Sequence, residues 1–457
     1  MDEGRIHRLL GERTACRRRF LAGAGGLAAG AFFARGGSHF ATAQAAVPDG
    51  EITVQFENRG GVVEQEVTKV IASLTAANPN AKINVAPPAA GDYIQELTIG
   101  LMTGQAADVL AVTNLATGQL ASLGGVIPLD PFLANWADWA QVPDIVKQNQ
   151  LFQGQTWGLP YSVDTHFFYY RKDLFQQAGL ADPWQPQSLA DMATAAVAIK
   201  QASPDVIPLA LFAGANPGNS TAIRGFLPLL YASGGTLRDA DGKWIIDSCA
   251  VRAALGFYEL AYQTQGIVPQ TVMESVNVST AMREAFIAGK LAMLYDGSWQ
   301  WDDWQKNIPN TSEVVGYSLF PSATGGAPFS VGGFGDTWFI NSRSATPDLA
   351  WAFVAAIMSK GALININLSD PHIPPRQDAI DDPQFQDGGF LQAMVESLDV
   401  CVFNPPDPSY QELIGIIQNA TGIIATGETT ADEAVKRYSE ELTRVLGEEN
   451  VVSQACP

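Results

Sequence analysis

Three tryptophans fall within six residues, Trp299, Trp301 and Trp304, directly behind the apolar run L-A-M-L-Y and the pair Asp296-Gly297. An indole offers a flat apolar face and a nearby carboxylate offers acceptors. That pairing suits a pyranose, whose C–H groups line one side while its hydroxyls need polar partners at the rim. Groupings that would transform a substrate are missing. There is no G-x-S-x-G nucleophile elbow, no G-x-x-x-x-G-K-[ST] phosphate loop and no C-x-x-C or Cys/His cluster with metal-ligand spacing. With four histidines in 457 residues, a histidine-based metal site is not expected. Asp302 and Asp303 are adjacent, so on a helix they point in different directions and do not make the paired carboxylates of a glycosidase. The expectation is binding without catalysis and without a cofactor.

The elements that must position these residues can be read around them. Gly289 ends a helix, Leu291 to Tyr295 form a buried strand, Asp296-Gly297 turns, and Ser298 caps a helix that Trp299 begins. At 100° per residue Trp301 and Trp304 share one face of that helix and are expected to pack. Trp299 stands at the strand–helix junction, where open sheets bind ligands. Asp296 either reaches the ligand or only makes the turn.

Nearer the N-terminus, Ile52, Val54 and Phe56 alternate with Thr53 and Gln55, the period of a half-buried strand. A helical pattern follows over 62–77, then the strand A-K-I-N-V-A, a helix over 93–102 and the strand A-D-V-L-A-V. Strand, helix, strand, helix, strand is the rhythm of a parallel α/β sheet. The carboxyl ends of such strands form the binding edge, which makes Glu57, Asn58, Thr113 and Asn114 candidates. Further on, Thr346-Pro347 opens a helix, and Thr430 with Glu433 three residues later makes a capping box.

The first 45 residues do not belong to this pattern. Arg17, Arg18 and Arg19 precede a short apolar run rich in Gly and Ala, followed by A-Q-A at Ala43 to Ala45, as in a cleaved export signal. The R-R-x-F-L stretch is similar to a twin-arginine signal, and no cysteine follows the apolar run to take a lipid anchor. Without this segment the chain carries 20 basic and 44 acidic residues. That balance argues against nucleic acid and anionic membranes as partners. Cys249, Cys401 and Cys456 remain, so at most one internal disulfide forms.

Four stretches taken together resemble the extracellular solute-binding proteins of ABC importers, the carbohydrate-type family that includes maltose-binding protein. They are G-L-P-Y-S-V-D-T-H-F-F-Y-Y-R-K-D-L-F from Gly158, F-I-A-G-K-L-A-M-L-Y-D-G-S-W from Phe286, V-G-G-F-G-D-T-W-F-I-N-S-R-S-A-T-P-D-L-A-W-A-F from Val331, and T-T-A-D-E-A from Thr429. The resemblance implies a two-lobed α/β fold, each lobe a central, mostly parallel sheet flanked by helices, joined by a multi-strand hinge. Lobe one would be residues 46–162 plus 329–377, and lobe two residues 163–328 plus 378–457. It also implies a periplasmic monomer that hands a small carbohydrate to the membrane permease subunits.

Carried over residue by residue, the resemblance makes Trp299 the aromatic platform and Asp164 a carboxylate for sugar hydroxyls, flanked by Tyr161 and His166. Gly332 and Gly333 either let backbone approach the ligand or are strand irregularities. Arg224 stands where maltose-type members carry an aromatic, and Val112 likewise replaces one. Arg376 falls near the return to lobe two. Two arginines would suit an acidic or densely hydroxylated guest, so the expected ligand is a monosaccharide, polyol, short oligosaccharide or acidic sugar rather than a maltodextrin. A polyamine receptor, a ligand-sensing partner of a membrane receptor and a secreted carbohydrate-active enzyme are the alternatives.

Overall fold

The computed structural model describes residues 46–57, 61–87 and 93–456, apart from Glu274, Val276, Thr324, Phe334 and Pro405. The export signal and Asn58 lie outside the described residues.

Strand β1 (Gly50–Phe56) leads through helix α1 (Val62–Ala77) to β2 (Ala81–Val85), and through helix α2 (Tyr93–Thr103) to β3 (Val109–Thr113). In β1, Ile52, Val54 and Phe56 are buried and the residues between them are not, as the alternation requires. β1 pairs in parallel with both β2 and β3. The chain then adds β4 (Leu159–Pro160), β5 (His166–Arg171), β6 (Met293–Gly297), β7 (Val315–Ser318), β8 (Ser330–Gly332), β9 (Asp336–Ile340) and β10 (Cys401–Phe403). The first sheet has the order β2-β1-β3-β9-β4, with β9 antiparallel to β3 and β4. Val63, Val67, Val70 and Leu74 of α1 close one of its faces, together with Leu349, Phe353 and Val354 of the helix Pro347–Ile357.

The second sheet differs from expectation. β5 pairs antiparallel with β6 and with β7. The stretch near Ile207 to Ala210 runs parallel to β6, but only through single bridges at Leu291 and Leu294. This sheet is therefore mixed rather than mostly parallel. β5 is the central strand and runs opposite to both neighbours, even though helices separate it from β6 along the chain. Its core is aromatic: Phe168, Tyr169, Tyr170, Phe175, Trp304 and Phe286 are all buried.

Between the sheets the chain crosses three times, and the crossings are tied side by side. Thr165 bridges Gly332, Val163 bridges Ile373, and β8 pairs in parallel with β10. At the far end of the second body, Val451–Ser453 pairs with Trp244–Asp247, and Cys249 is disulfide-bonded to Cys456, 207 residues away. Cys401 stays free. Replacing Cys456 by serine is expected to destabilise the protein by about 2–5 kcal/mol, as loss of a long-range crosslink does. Urea unfolding of wild type and variant, both non-reduced, checks this.

Candidate functional site

Both sheets end at the crossings, and each ends on polar residues. On the first sheet, Glu57 follows β1, Asn114 follows β3, and Asp336 starts β9. Because β9 runs antiparallel to β3, its first residue lies at the edge where β3 ends, with Asp336 opposite Thr113. Tyr93, at the start of α2, faces the same carboxylates: burial first, then Asp336 and Glu57, push its phenol well above the usual range. Asp336 accepts a hydrogen bond from the Tyr161 hydroxyl at 2.8 Å. Tyr161 is otherwise packed in the first core, 5.4 Å from Trp338.

Asn114 is buried and spans the hinge. Its amide donates to the carbonyls of Asn149 (3.1 Å) and Gly333 (3.3 Å), and its own oxygen accepts from Thr117 (2.9 Å). Gly333 takes φ +80°, a conformation that favours glycine. Its N–H donates to the Asp164 carbonyl at 3.1 Å. The backbone of Gly333 thus serves the hinge on both sides.

On the second sheet the strand runs two residues further than expected. Asp296-Gly297 is not a turn: both residues belong to β6, since Gly297 pairs with His166 and Asp296 with Phe167. Ser298 does not cap the following helix with its side chain either. Its hydroxyl donates instead to the Pro371 carbonyl across the crossing, at 2.8 Å. Trp299 stands at the N-cap of the helix Gln300–Asn307, with part of its surface exposed. Trp301 and Trp304 are buried as the helical spacing predicts, Trp301 stacked on Phe390 at 4.5 Å and Trp304 against Phe286 at 4.8 Å.

The indole of Trp299 is held on several sides. His372 stacks on it at 5.2 Å and 12°, and His166 meets it edge-on at 5.4 Å. The Arg224 guanidinium lies 5.7 Å from the ring centroid. Gly297 provides the bed: a Cβ there would fall 2.1 Å from ring atoms Cη2 and Cζ3. Gly297→Ala is therefore expected to displace the indole and cost about 1–3 kcal/mol in urea unfolding.

His166 is buried, and its Nδ1–H donates to the Val331 carbonyl at 2.7 Å. Burial pulls its pKa down, so the ring is neutral, although Asp164 and Asp296 oppose that pull. Asp164 is also buried, close enough to Arg224 and His166 to act on both.

Asp296 is the most heavily engaged carboxylate of the group. Arg283 donates to it from Nε (2.8 Å) and Nη2 (3.1 Å), and the Gly297 N–H donates at 2.8 Å. Arg224 Nη1 lies 3.0 Å from Oδ1. Although burial opposes them, these partners hold the carboxyl down at about 2. Arg224 is pulled the other way: burial outweighs Asp296 and brings its guanidinium down to about 10. Neither its Nε nor its Nη1 has a well-aligned hydrogen-bond partner among the described residues. Arg224 sits on the wide helical turn Thr221–Phe226, a feature frequent at functional sites.

Arg376 does not join this group. Its guanidinium is committed to Asp138 (2.6 Å), Asp378 (2.9 Å) and the Met358 carbonyl (3.0 Å). The structure thus gathers Trp299, His166, Asp164, Asp296 and Arg224 around one sheet edge, and Glu57, Asn114 and Tyr161 about the other. Arg283, His372, Tyr93 and Asp336 were not anticipated. Asp336 could have been found only by knowing that β9 runs antiparallel. His372 had a weak signal, its place in H-I-P-P-R beside the crossing.

Residues 55–363 match the family described as bacterial extracellular solute-binding protein. The chain belongs to that family. A binding protein of Brucella abortus is 21% identical over 403 residues, which is 86% of this chain and 92% of that one. The mannitol-binding protein of Pseudomonas aeruginosa is 23% identical over 383 residues, 77% of this chain and 83% of its own. Among solved structures, an ABC-transporter solute-binding protein of Thermotoga lettingae bound with α-D-tagatose has a TM-score of 0.74. That pair is 22% identical and covers 87% of this chain and 100% of the other. At that identity the likeness concerns the fold.

Proposed function

We propose that this solute-binding protein captures a small carbohydrate between its two sheet edges and delivers it to the permease of an ABC importer. The observation that carries the reading is the second sheet's edge. A partly exposed indole, a guanidinium and a buried carboxylate lie together there, beside the crossings between the two sheets. Such a set suits a ring with one apolar face and a hydroxylated rim. The names of the relatives and of proteins with this fold, mannitol-binding, tagatose-bound, maltose-bound and mannotriose-bound, support a polyol or sugar.

In this reading Trp299 is the platform, and Asp164, His166 and Arg224 supply polar partners from lobe two. Glu57 and Asn114, with Asp336 and Tyr93, bound the lobe-one side, and Asn58, outside the described residues, is proposed from the sequence alone as a further ligand contact. Tyr161 and Asp296 position neighbours, Gly333 shapes the hinge and Arg376 braces it from further off. Lobe one is residues 46–162 plus 329–377, and lobe two is the remainder of 163–457. The chain is exported through the twin-arginine pathway to the periplasm, without a lipid anchor, and acts as a monomer that turns nothing over.

No bond is broken. A ligand that touches both lobes favours the closed arrangement by its differential affinity for it. If the closed state is populated on the order of 1% without ligand, about 5 kcal/mol of spanning contacts inverts the populations. Thermal-shift screening of the mature chain against mannitol, sorbitol, tagatose, glucose, maltose and putrescine tests the reading. Sugars or polyols should raise the melting temperature with concentration. A shift with putrescine alone would replace the carbohydrate reading by a polyamine one.

A further inference from the structure

Resting on the receptor reading, we infer that His372 is the positioning residue of the Trp299 platform. It fixes the plane of the indole from the hinge, so that a ligand at Trp299 meets a ring whose orientation is set by the third crossing.

Trp299 is held largely by residues outside its own helix. The Ser298 hydroxyl donates to the Pro371 carbonyl at 2.8 Å. One residue further along each segment, His372 lies parallel to the indole, with 5.2 Å between centroids and 12° between planes. Two successive residues of the second sheet's edge are thus matched to two successive residues of the crossing. His166 touches the same ring edge-on and donates to the Val331 carbonyl in β8. By the proposed boundaries His372 belongs to lobe one and Trp299 to lobe two, so their stack joins the two bodies.

His372 is itself firmly seated. It is 5% exposed. Its backbone N–H donates to the Asn367 carbonyl at 3.3 Å and its Nδ1–H to the Asp370 carbonyl at 2.8 Å. Asn367 lies in the last turn of the helix Lys360–Ser369, whose Leu363 and Ile366 belong to the first core. The Asn367 amide donates to the carbonyls of Leu363 (2.8 Å) and Tyr161 (2.9 Å). Ile373, the next residue, exchanges two backbone hydrogen bonds of 2.9 Å with Val163. The imidazole is therefore tied on both sides to the first crossing, and it is not a lid that swings off the indole. Trp299 keeps part of its surface exposed with His372 in place, so ring surface remains for a ligand. A ring held in one orientation binds with less ordering cost than one free to turn.

The test is calorimetry on the mature protein with mannitol, tagatose, glucose and maltose, alongside the melting temperature of each unliganded variant. His372→Leu fills the place without a ring, and His372→Phe restores a ring. Neither makes the hydrogen bond to Asp370. The expected result is that His372→Leu weakens the probe that binds by about three- to ten-fold, and that His372→Phe lies closer to wild type. In a Trp299→Ala background, His372→Leu should change affinity by about two-fold or less, because the ring it positions is gone. Three results overturn the inference and leave the receptor reading standing: equal losses in both backgrounds, equal affinities for His372→Leu and His372→Phe, or tighter binding by His372→Leu. If Trp299→Ala binds too weakly to titrate, the comparison of His372→Leu with His372→Phe decides. If His372→Leu does not fold, His372→Asn takes its place. Binding of none of the probes by the wild-type protein overturns both readings.

Discussion

Trp299→Ala is expected to remove most of the ligand-induced thermal shift, with an affinity loss of about ten- to a hundred-fold. Truncating a buried aromatic anchor commonly costs 2 kcal/mol or more. The unliganded fold should lose far less. Trp299 is not sealed in the core, and its ring contacts are to His372, His166 and the Gly297 backbone. An aromatic pair contributes about 0.5–1.5 kcal/mol beyond area burial. Trp299→Phe should restore part of the affinity, because a smaller flat ring still offers a face. A Trp299→Ala protein that unfolds, rather than folding and failing to bind, would make the indole a structural residue and remove the platform from the account.

Asp296→Ala should act differently, on stability first. It would leave two guanidiniums facing each other with no carboxylate between them, and breaking a buried pair on one side typically costs about 3–5 kcal/mol. Urea unfolding measures this. The wild-type pH profile carries the same information. The folded carboxyl titrates near 2, below its unfolded value, so its contribution is complete above the ordinary aspartate range and is lost as pH falls toward 2. The carboxyl alone would account for about 2–3 kcal/mol over that interval. The triad as a whole is worth less, because burial costs Arg224 more than Asp296 returns to it. An acid limb that is unchanged when Asp296 is replaced would contradict the assignment.

Much of this architecture was legible in residue patterns. Alternation in β1 marked its buried face, and the spacing of Trp301 and Trp304 marked a packed helix face. The order of the motifs suggested interleaved bodies, and in the structure Val163 bridges Ile373 and Thr165 bridges Gly332 where the chain passes between the two sheets. What could not be read depended on contacts distant in sequence. Asp296-Gly297 looks like a turn locally, yet pairing with β5, more than a hundred residues earlier, draws it into a strand. Ser298 looks like a helix cap, yet Pro371 claims its hydroxyl. Arg224 and Arg376 are equivalent as letters. Only the fold sends one beside an indole and the other into Asp138 and Asp378. Asp336 comes to the end of β3 through strand direction and His372 comes to the Trp299 ring through the third crossing, which no local periodicity encodes.

The central claim is that two bodies close on a guest held against Trp299. Small-angle scattering of the mature chain, titrated with whichever neutral sugar or polyol raises its melting temperature, tests this most directly. The radius of gyration should fall and saturate at the stoichiometry found by calorimetry, and should not fall in Trp299→Ala at the same concentrations. Saturable binding with an unchanged radius in the wild-type protein would contradict the account.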